Sequence, residues 1–268
     1  MSLTLPTYTT VLTEMAAPHV LKVTLNRPEV GNAISTQMGR DLLDLWTRLT
    51  EDAGDVRCIV LTGAGPNKIF CSGGDLKERN GMTKAQWIKQ HELFERMYWT
   101  LTDLPIPVIA AVNGHAYAGG FETVLSCDFA YASSAARFAL TEVTLGIMPG
   151  AGGTQNLPRA IGQRRAKELL MTGQPIHAQK ALAWGLFNDI AEPDDVLPMA
   201  LKTATTIAGN APLSVRQIKK SVRYGFEMEL RTAFRFEVEA YNHLVETEDR
   251  YEGVLAFNEK RKPVFKGK

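Results

Sequence analysis

The sequence predicts an α/β fold, because short apolar segments alternate with amphipathic helical segments through most of the chain. The clearest strand patterns are Val20–Leu25, residues 58–62 and Val108–Val112, and the last two are continuously apolar, as in strands buried on both faces. From about Val196 onward the strand patterns stop, and only helical periodicity follows. We therefore predict an α/β core over residues 1–195, which holds the active site, and an all-helical region over residues 196–268.

The predicted helices follow these strands in order. Ser35 can cap the first helix, because a serine hydroxyl accepts a hydrogen bond from a free N–H of the first turn. The apolar residues of this helix recur at the spacing of one buried face: Met38, Leu42, Leu45, Trp46 and Leu49. A second helix is predicted over residues 83–100, and Gly119 opens a third, which is followed by a strand over residues 127–131. The remaining helices are predicted at residues 164–171, 178–184, 201–208, 214–224 and 230–243.

Composition indicates a globular protein without a strong charge bias. Hydrophobic residues make up 45% of the 268 residues, charged residues 22%, and the formal net charge is +1. A near-neutral chain has no global field that would favour nucleic acid or a membrane surface, and no apolar run is long enough to span a bilayer. The cysteines Cys58, Cys71 and Cys127 fit no zinc pattern, and the first and last are expected as core thiols. With no recognisable leader segment, this predicts a cytoplasmic protein.

Two glycine pairs stand out because each closely follows a predicted strand. Gly73 and Gly74 form the first pair, and Gly119 and Gly120 form the second. Glycine lets a backbone N–H approach a ligand without a Cβ atom in the way, so two such groups could converge on one carbonyl oxygen as an oxyanion hole. The alternative is that each pair only makes a tight turn.

Two glutamates are candidates for proton transfer. Glu122 lies in the first turn of the helix opened by Gly119, and Glu142 lies among apolar residues about one supersecondary unit later. Two carboxyl groups that meet over one pocket can divide acid and base work on a single water molecule. The alternatives are a carboxylate that interacts with the helix dipole for Glu122, and an ordinary loop charge for Glu142.

Two other features are interpreted as structural. The run from Gly150 to Gly153 lacks the Gly-Lys-Ser/Thr ending of a phosphate-binding loop, so it is interpreted as a tight connection into the next helix. His115 has no serine or cysteine spaced as an obvious nucleophile, which favours a structural histidine.

Taken together, these segments resemble the enoyl-CoA hydratase/isomerase, or crotonase, family. The resemblance covers residues 19–266, and the ordered set of segments is far more specific than any one of them. It rests on Leu25 to Pro28 with Asn32 and Ala33, Phe70 to Lys77, Asn113 to Glu122, Ala139 to Glu142, Gly146 to Gln155, and Glu252 to Pro263. It implies a spiral of repeated ββα units with a helical C-terminal trimerisation region, and such trimers commonly pair into hexamers.

The same resemblance implies an enzyme acting on an acyl-CoA thioester. The family's oxyanion hole corresponds to the N–H groups of Gly74 and Gly119, and its two hydratase glutamates correspond to Glu122 and Glu142. Retention of both carboxylates favours an enoyl-CoA hydratase. No metal or separate cofactor is expected, since coenzyme A is part of the substrate. Residues expected to bind substrate or coenzyme A are Glu29, Val30, Ser72, Asp75, Leu76, Lys77, Phe257 and Lys260.

Three alternatives stay open at this stage. An isomerase of the same family would need only one of the glutamates, and a dehydratase of carnitinyl-type thioesters would use the same site in reverse. A non-catalytic module that binds coenzyme A or RNA belongs to a different class, and the near-neutral charge argues against it. Phe121 and Asn156 depart from residues common in short-chain hydratases, which leaves the acyl group open. The expected partners are the thioester and further copies of the chain, without nucleic acid or membrane.

Overall fold

A computed structural model describes residues 4–66 and 69–268 of the chain. The strands of this part are β1 (Val11–Ala17), β2 (Val20–Leu25), β3 (Cys58–Gly63), β4 (Ile69–Cys71), β5 (Val108–Val112), β6 (His115–Tyr117), β7 (Phe129–Ser133), β8 (Arg137–Ala139), β9 (Ile176–His177) and β10 (Asp189–Ala191). The helices are α1 (Thr36–Glu51), α2 (Leu76–Arg79), α3 (Lys84–Asp103), α4 (Gly119–Leu125), α5 (Gly153–Ile161), α6 (Gln163–Thr172), α7 (Ala178–Ala183), α8 (Val196–Ala208), α9 (Pro212–Gly225), α10 (Leu230–Val245) and α11 (Glu248–Asn258). Short 3₁₀ turns occupy Pro28–Val30 and Glu142–Leu145.

Two sheets arise from a repeated ββα unit. The first sheet has the order β1-β2-β3-β5-β7-β10, and the second has the order β4-β6-β8-β9. Successive units add neighbouring parallel strands to both sheets: β3, β5 and β7 to the first, and β4, β6 and β8 to the second. Helices follow each strand pair. The predicted α/β spiral of repeated ββα units is therefore confirmed.

The central strands β3 and β5 of the first sheet are buried on both faces. In β3, Ile59 and Leu61 belong to the larger apolar core, whereas Cys58 and Val60 point to the opposite face, as the two-residue period of a strand requires. That opposite face is covered by α8, whose small side chains allow a close approach. The contacting residues of α8 are Val196, Ala200, Ala204 and Ala208.

The C-terminal region is helical, as predicted, but its helices differ in what they contact. Helix α8 packs against strands of the first sheet, and α9 packs mainly against α10. Several large apolar side chains of α9 and α10 are exposed on this single chain, among them Val222, Phe234 and Tyr241. The division at residues 195 and 196 into a core and an oligomerisation region stays a prediction.

The elements that were predicted from local patterns are found within a few residues of their expected bounds. Ser35 caps α1, and its hydroxyl accepts a hydrogen bond of 3.2 Å from the N–H of Met38. Cys58 is buried, whereas Cys127 is only partly buried. His115 has a structural contact, because its Nδ1 accepts a hydrogen bond from the N–H of Arg137. Across residues 4–66 and 69–268, no helix is both long and apolar enough to cross a membrane.

Candidate active site

A cleft of about 770 Å³ opens where three adjacent strands of the second sheet end. Strands β4, β6 and β8 are parallel neighbours, so their carboxyl ends lie at one edge of the sheet. Gly74 follows β4, Gly119 follows β6, and Glu142 follows β8, and all three line the cleft. Clefts beyond the carboxyl ends of parallel strands are common ligand sites. The spiral therefore brings together residues that lie far apart in the sequence.

The N–H of Gly74 is turned toward Gly119 by a short parallel bridge to Ile34. In that bridge the N–H of Ile34 donates to Gly73 and the N–H of Asp75 donates to Ile34. Because N–H groups alternate in direction along an extended chain, the N–H of Gly74 points away from Ile34. The backbone nitrogen of Gly74 would lie 3.7 Å from a Cβ atom added at Gly119. Gly73 has a φ of 95°, a conformation that favours glycine.

Gly119 is presented by an uncommon backbone conformation just before α4. Ala118 has a φ of 47° and a ψ of −128°, which strains a residue with a side chain. The hydroxyl of Tyr98 donates a hydrogen bond of 2.6 Å to the carbonyl of Gly119 and helps to hold this segment. A Cβ atom at Gly120 would lie 2.3 Å from the carbonyl oxygen of Cys71, so glycine is required for α4 to pack this closely on β4.

The two N–H groups are available to a ligand. Neither Gly74 nor Gly119 donates its N–H to an acceptor among residues 4–66 and 69–268. Both glycines are half-buried, and backbone donors that are shielded from water usually have an acceptor. Two such donors at the same cleft form a suitable site for one carbonyl oxygen.

Glu122 lies in the first turn of α4 and is only 4% exposed. Its Oε1 accepts hydrogen bonds of 2.8 Å from the N–H of Ala151 and 2.9 Å from the N–H of Gly153. Burial raises the pKa of this carboxyl, and the two N–H donors oppose the rise. One oxygen of Glu122 is thus fixed by the main chain. The segment from Gly150 to Gly153, interpreted from sequence only as a connection, also orients this glutamate.

Glu142 begins the 3₁₀ turn after β8 and is in a different environment. It is 6% exposed, and its Oε2 is buried without a hydrogen-bond partner among the described residues. Its pKa is raised from the ordinary 4.5 to about 7, mainly by burial and also by the charge of Glu122. Its own N–H and the guanidinium of Arg79 act in the opposite direction. A carboxyl group with such a pKa can both give and take a proton near neutral pH.

Arg79 and Tyr98 line the same cleft, and the sequence interpretation missed both. Arg79 ends the short helix α2, and its guanidinium lies over the indole ring of Trp87 at 4.4 Å. Tyr98 lies on the buried side of α3, where burial and the charge of Glu122 keep its pKa well above the usual value. The spacing of Tyr98 on an amphipathic helix was a signal of burial but not of a position at the cleft.

The residues predicted to bind coenzyme A fall into two groups. Ser72 and Leu76 line the cleft, and the hydroxyl of Ser72 lies 3.4 Å from the carbonyl of Val30. Asp75 caps α2, and its carboxylate pairs with Arg27 at 2.8 Å, so its charge is already used within the fold. Glu29 belongs to the neighbouring 3₁₀ turn, and its binding role stays a prediction.

The remaining three residues, like Glu29, Val30 and Asp75, do not line the cleft of this single chain. Lys77 is exposed on α2, while Phe257 and Lys260 are exposed at the end of α11. Their contact with coenzyme A, across a subunit boundary in the case of α11, stays a prediction. Phe121 and Asn156, which differ from the residues common in short-chain hydratases, are also absent from the cleft lining. Phe121 is fully buried and packs on Phe138 with ring centroids 5.8 Å apart.

Comparison with known proteins agrees with this fold and cleft. Residues 16–268 match the model of the enoyl-CoA hydratase/isomerase family. The chain is 41% identical over 254 residues to the (E)-benzylidenesuccinyl-CoA hydratase of Thauera aromatica, covering 93% of this chain and 96% of that one. It is 41% identical over 243 residues to the short-chain-enoyl-CoA hydratase of Clostridium acetobutylicum, covering 91% and 92% respectively. The protein therefore belongs to the enoyl-CoA hydratase/isomerase family, as its sequence motifs indicated.

A solved structure supports the assignment of the fold. The crystal structure of an enoyl-CoA hydratase from Bacillus anthracis superposes with a TM-score of 0.94 and is 42% identical in sequence. The match covers 97% of this chain and 100% of that one. This solved hydratase therefore shares the architecture of the chain.

Proposed function

We propose that this protein is an enoyl-CoA hydratase, which adds water across the 2,3-double bond of an enoyl-CoA thioester to give a 3-hydroxyacyl-CoA. One observation carries the proposal: two buried glutamates with unlike surroundings, Glu122 and Glu142, share a cleft with two unbonded N–H groups, those of Gly74 and Gly119. Both of these relatives are named as hydratases, and the acyl groups in their names differ.

The thioester oxygen is proposed to lie between the N–H groups of Gly74 and Gly119. As water adds to the β-carbon, negative charge moves onto this oxygen and the thioester gains enolate character. Fixed donors stabilise that charge without reorganisation, and loss of one such donor typically costs about 3 kcal/mol. The strained conformation of Ala118 and the hydrogen bond from Tyr98 support this role, because both fix the position of Gly119.

The glutamates are proposed to divide the work on water. The Oε1 of Glu122 is held by two N–H groups, so the other oxygen can orient the attacking water and accept its proton. Glu142 has a pKa of about 7, so it carries a proton in a large fraction of molecules at neutral pH. It delivers that proton to the α-carbon. Hydration involves no net oxidation or reduction, and the proposal includes no metal, flavin or nicotinamide.

The substrate's coenzyme A part is proposed to extend from the cleft past Ser72 and Leu76. Lys77 is placed on α2 near this side, and Lys260 reaches coenzyme A from the end of α11 in a neighbouring subunit. This arrangement requires an oligomer, and we propose a trimer or a dimer of trimers; the exposed apolar side chains of α9 and α10 support an assembly. The cytoplasmic location is part of the same proposal.

The test measures oxygen transfer and the need for each glutamate. Incubation with crotonyl-CoA in ¹⁸O-labelled water is expected to place label in the 3-hydroxyacyl product. Glu142→Gln keeps the size but removes proton transfer, so kcat is expected to fall about 10²- to 10⁴-fold. Glu122→Gln is also expected to lower kcat strongly, because the water loses a fixed acceptor.

Thioester binding provides the control for both variants. Neither substitution removes the N–H groups of Gly74 and Gly119, so both variants are expected to bind a saturated acyl-CoA as well as wild type does. An isomerase would place no label in its product, would prefer a β,γ-enoyl thioester and would need a single glutamate. Absence of ¹⁸O uptake, or full activity of the Glu122 variant, would refute the hydratase proposal. Salt-sensitive RNA binding without turnover would favour the binding-module alternative.

A further inference from the structure

We propose that Arg79 binds a carboxylate carried by the acyl group, so that the substrate is the coenzyme A thioester of a short unsaturated dicarboxylic acid. The proposal rests on the proposed hydratase function and specifies its substrate class. The proposed hydration steps do not use Arg79, although its guanidinium lies at the cleft. The proposal follows from the placement of the Arg79 side chain, its fixed orientation and the lack of a direct ion-pair partner among the described residues.

The guanidinium lies beside the proposed thioester position. The Cζ atom and a terminal nitrogen of Arg79 would each lie 3.3 Å from a Cβ atom added at Gly74. Gly74 is the residue whose N–H is proposed to bind the thioester oxygen. A carboxylate that pairs with Arg79 must therefore lie close to the thioester, which requires a short acyl chain.

Neighbouring side chains hold Arg79 in one orientation. Its Nε donates a hydrogen bond of 2.8 Å to the Oε1 of Gln90, which is only 4% exposed. The amide of Gln90 is fixed in turn by a hydrogen bond of 2.8 Å to the hydroxyl of Thr36. The guanidinium also lies over the rings of Trp87 at 4.4 Å and Phe94 at 5.6 Å. A guanidinium fixed in this way loses little freedom when it binds a ligand.

Arg79 is partly buried and has no direct ion-pair partner among the described residues, although the charges of Glu78 and Glu142 act on it from farther away. Among residues 4–66 and 69–268, no carboxylate oxygen lies within 4.0 Å of its nitrogens, and its two terminal nitrogens donate no hydrogen bond. Burial lowers the pKa of its guanidinium, which shows the cost of holding this charge away from water. Partly buried arginines usually pair with an acid, and the terminal nitrogens match the two oxygens of a carboxylate.

The other charges at the cleft favour Arg79 as the receptor. Glu122 and Glu142 would repel a substrate carboxylate, so a cation is needed to offset them. Within the described part of the chain, the other basic side chain of the lining is His91, which lies directly beside Gly150. Further along the cleft the lining combines the apolar side chains of Ile88, Leu145 and Met148 with the carboxylates of Glu92 and Glu95. A carboxylate placed there would lose water without gaining a partner.

Two other roles for Arg79 make different predictions. If it only packs between the aromatic rings, its replacement lowers activity equally for charged and uncharged acyl groups. If it only adjusts the charge of Glu142, replacement changes the pH dependence for all substrates alike. A receptor for a carboxylate instead produces a loss that depends on the charge of the acyl group. The ratio of two substrates therefore distinguishes these roles.

The experiment compares glutaconyl-CoA with 5-methylhex-2-enoyl-CoA, in which an isopropyl group replaces the carboxylate. Wild type is expected to have the higher kcat/KM for glutaconyl-CoA. Arg79→Met is expected to lower the ratio of the two kcat/KM values about 10- to 100-fold, since a charge-assisted pair is lost. Arg79→Lys is expected to restore part of that ratio. Arg96→Met, an exposed position on α3 with the same change in charge, is the control that keeps the ratio of wild type.

A binding measurement makes the result independent of turnover. Glutaryl-CoA and 5-methylhexanoyl-CoA have no double bond, so calorimetry with wild type and Arg79→Met measures their Kd values alone. A preference for glutaryl-CoA that disappears in Arg79→Met supports the inference even if no enoyl-CoA is hydrated, in which case only the hydratase proposal fails. Hydration of both enoyl thioesters without a charge preference overturns the role of Arg79 alone. An equal loss for both acyl groups in Arg79→Met also overturns it.

Discussion

The Oε1 of Glu122 accepts a hydrogen bond of 2.9 Å from the N–H of Gly153, and it would lie only 3.0 Å from a Cβ atom added at that glycine. The segment that precedes α5 therefore fits around the carboxylate with no space for a side chain. This contact fixes the glutamate from outside its own helix. It explains why a glycine is needed at a position that has no special backbone conformation.

Gly153→Ala is expected to lower kcat by up to about 10²-fold, because a displacement of the proposed water-orienting group by about 1 Å can have that effect. The new Cβ atom would also lie 2.9 Å from the Cβ of Pro149, and such overpacking typically costs about 1–3 kcal/mol. Steady-state kinetics and urea unfolding measure the two effects. Gly209→Ala is the control, since its Cβ atom would meet only ordinary contacts of 3.5 Å. Wild-type kcat in Gly153→Ala would contradict the orienting role.

The pH dependence of hydration is expected to follow Glu142. Its raised pKa keeps the proton bound up to about pH 7, and the proposed acid must carry that proton when substrate binds. The kcat/KM for hydration is therefore expected to fall as pH rises above about 7, because kcat/KM reports groups of the free enzyme. A pH profile of initial rates with crotonyl-CoA measures this. An increase through the same range would show instead that ionised Glu142 acts as the base.

The stability of the fold is expected to depend on the same carboxyl group. Its pKa is higher in the folded protein than the ordinary 4.5, so the ionised form is the one that destabilises the fold. This destabilisation is absent below about pH 4.5 and grows as the pH rises. It is complete above about pH 7, where it amounts to about 3 kcal/mol.

Glu142→Gln removes this destabilisation, because glutamine does not ionise. We expect the difference in free energy of unfolding between the variant and wild type to change with pH. It should favour the variant by up to about 3 kcal/mol more at pH 8 than at pH 4.5. Urea unfolding at the two pH values measures this difference. Glu168→Gln makes the same change in charge at an exposed position and is the control. Equal effects of the two substitutions at both pH values would show that burial of Glu142 does not affect its titration.

The exposed lysines are expected to affect binding more than chemistry. Lys77→Ala and Lys260→Ala should each raise KM more than they lower kcat, because ground state and transition state share contacts to the phosphates of coenzyme A. Lys167→Ala is the control, since this lysine is exposed on α6, away from the cleft lining. Unchanged KM values in both test variants would identify Lys77 and Lys260 as ordinary surface residues.

The apolar side chains of α9 and α10 are expected to form a subunit interface. Val222 of α9 is 63% exposed, and Phe234 and Tyr241 of α10 are 63% and 66% exposed; such a set of exposed apolar side chains is unusual on a monomer. Light scattering is expected to show a closed assembly based on three subunits, and replacement of Phe234 and Tyr241 by serine should dissociate it. Asn242→Ser is the exposed control on α10. A monomeric wild type at micromolar concentration would contradict the interface.

Local patterns predicted most helices and four strands of the first sheet, β2, β3, β5 and β7, because their signals lie within one segment, whereas β1 and β10 were not predicted. Strand β3 reads as continuously apolar, and Ser35 precedes a clear amphipathic period. The strands of the second sheet could not be predicted in the same way. Strands β4, β6 and β8 have three residues each, which is too few to establish a period, and they are stabilised by pairing with one another.

The sequence predicted those residues of the candidate site that belong to segments found in the order typical of the family. Gly74, Gly119, Glu122 and Glu142 line one cleft, as the resemblance implied. Arg79 was missed because its environment is formed by residues of the next helix, Trp87, Gln90 and Phe94. One arginine at the end of a short helix carries no local signal. The contact of Gly153 with Glu122 was missed for the same reason, since it joins residues from two separate units of the spiral.

The proposed carbonyl-binding groups belong to the peptide backbone, whereas the residues expected to contact the acyl group are side chains of α2, α3 and the segment before α5. Every amino acid except proline supplies an N–H, so mutations at the wall of the cleft can alter the choice of substrate without deleting the groups that stabilise the enolate. A redesign for another acyl group would therefore keep the ends of β4 and β6 and exchange the facing helix.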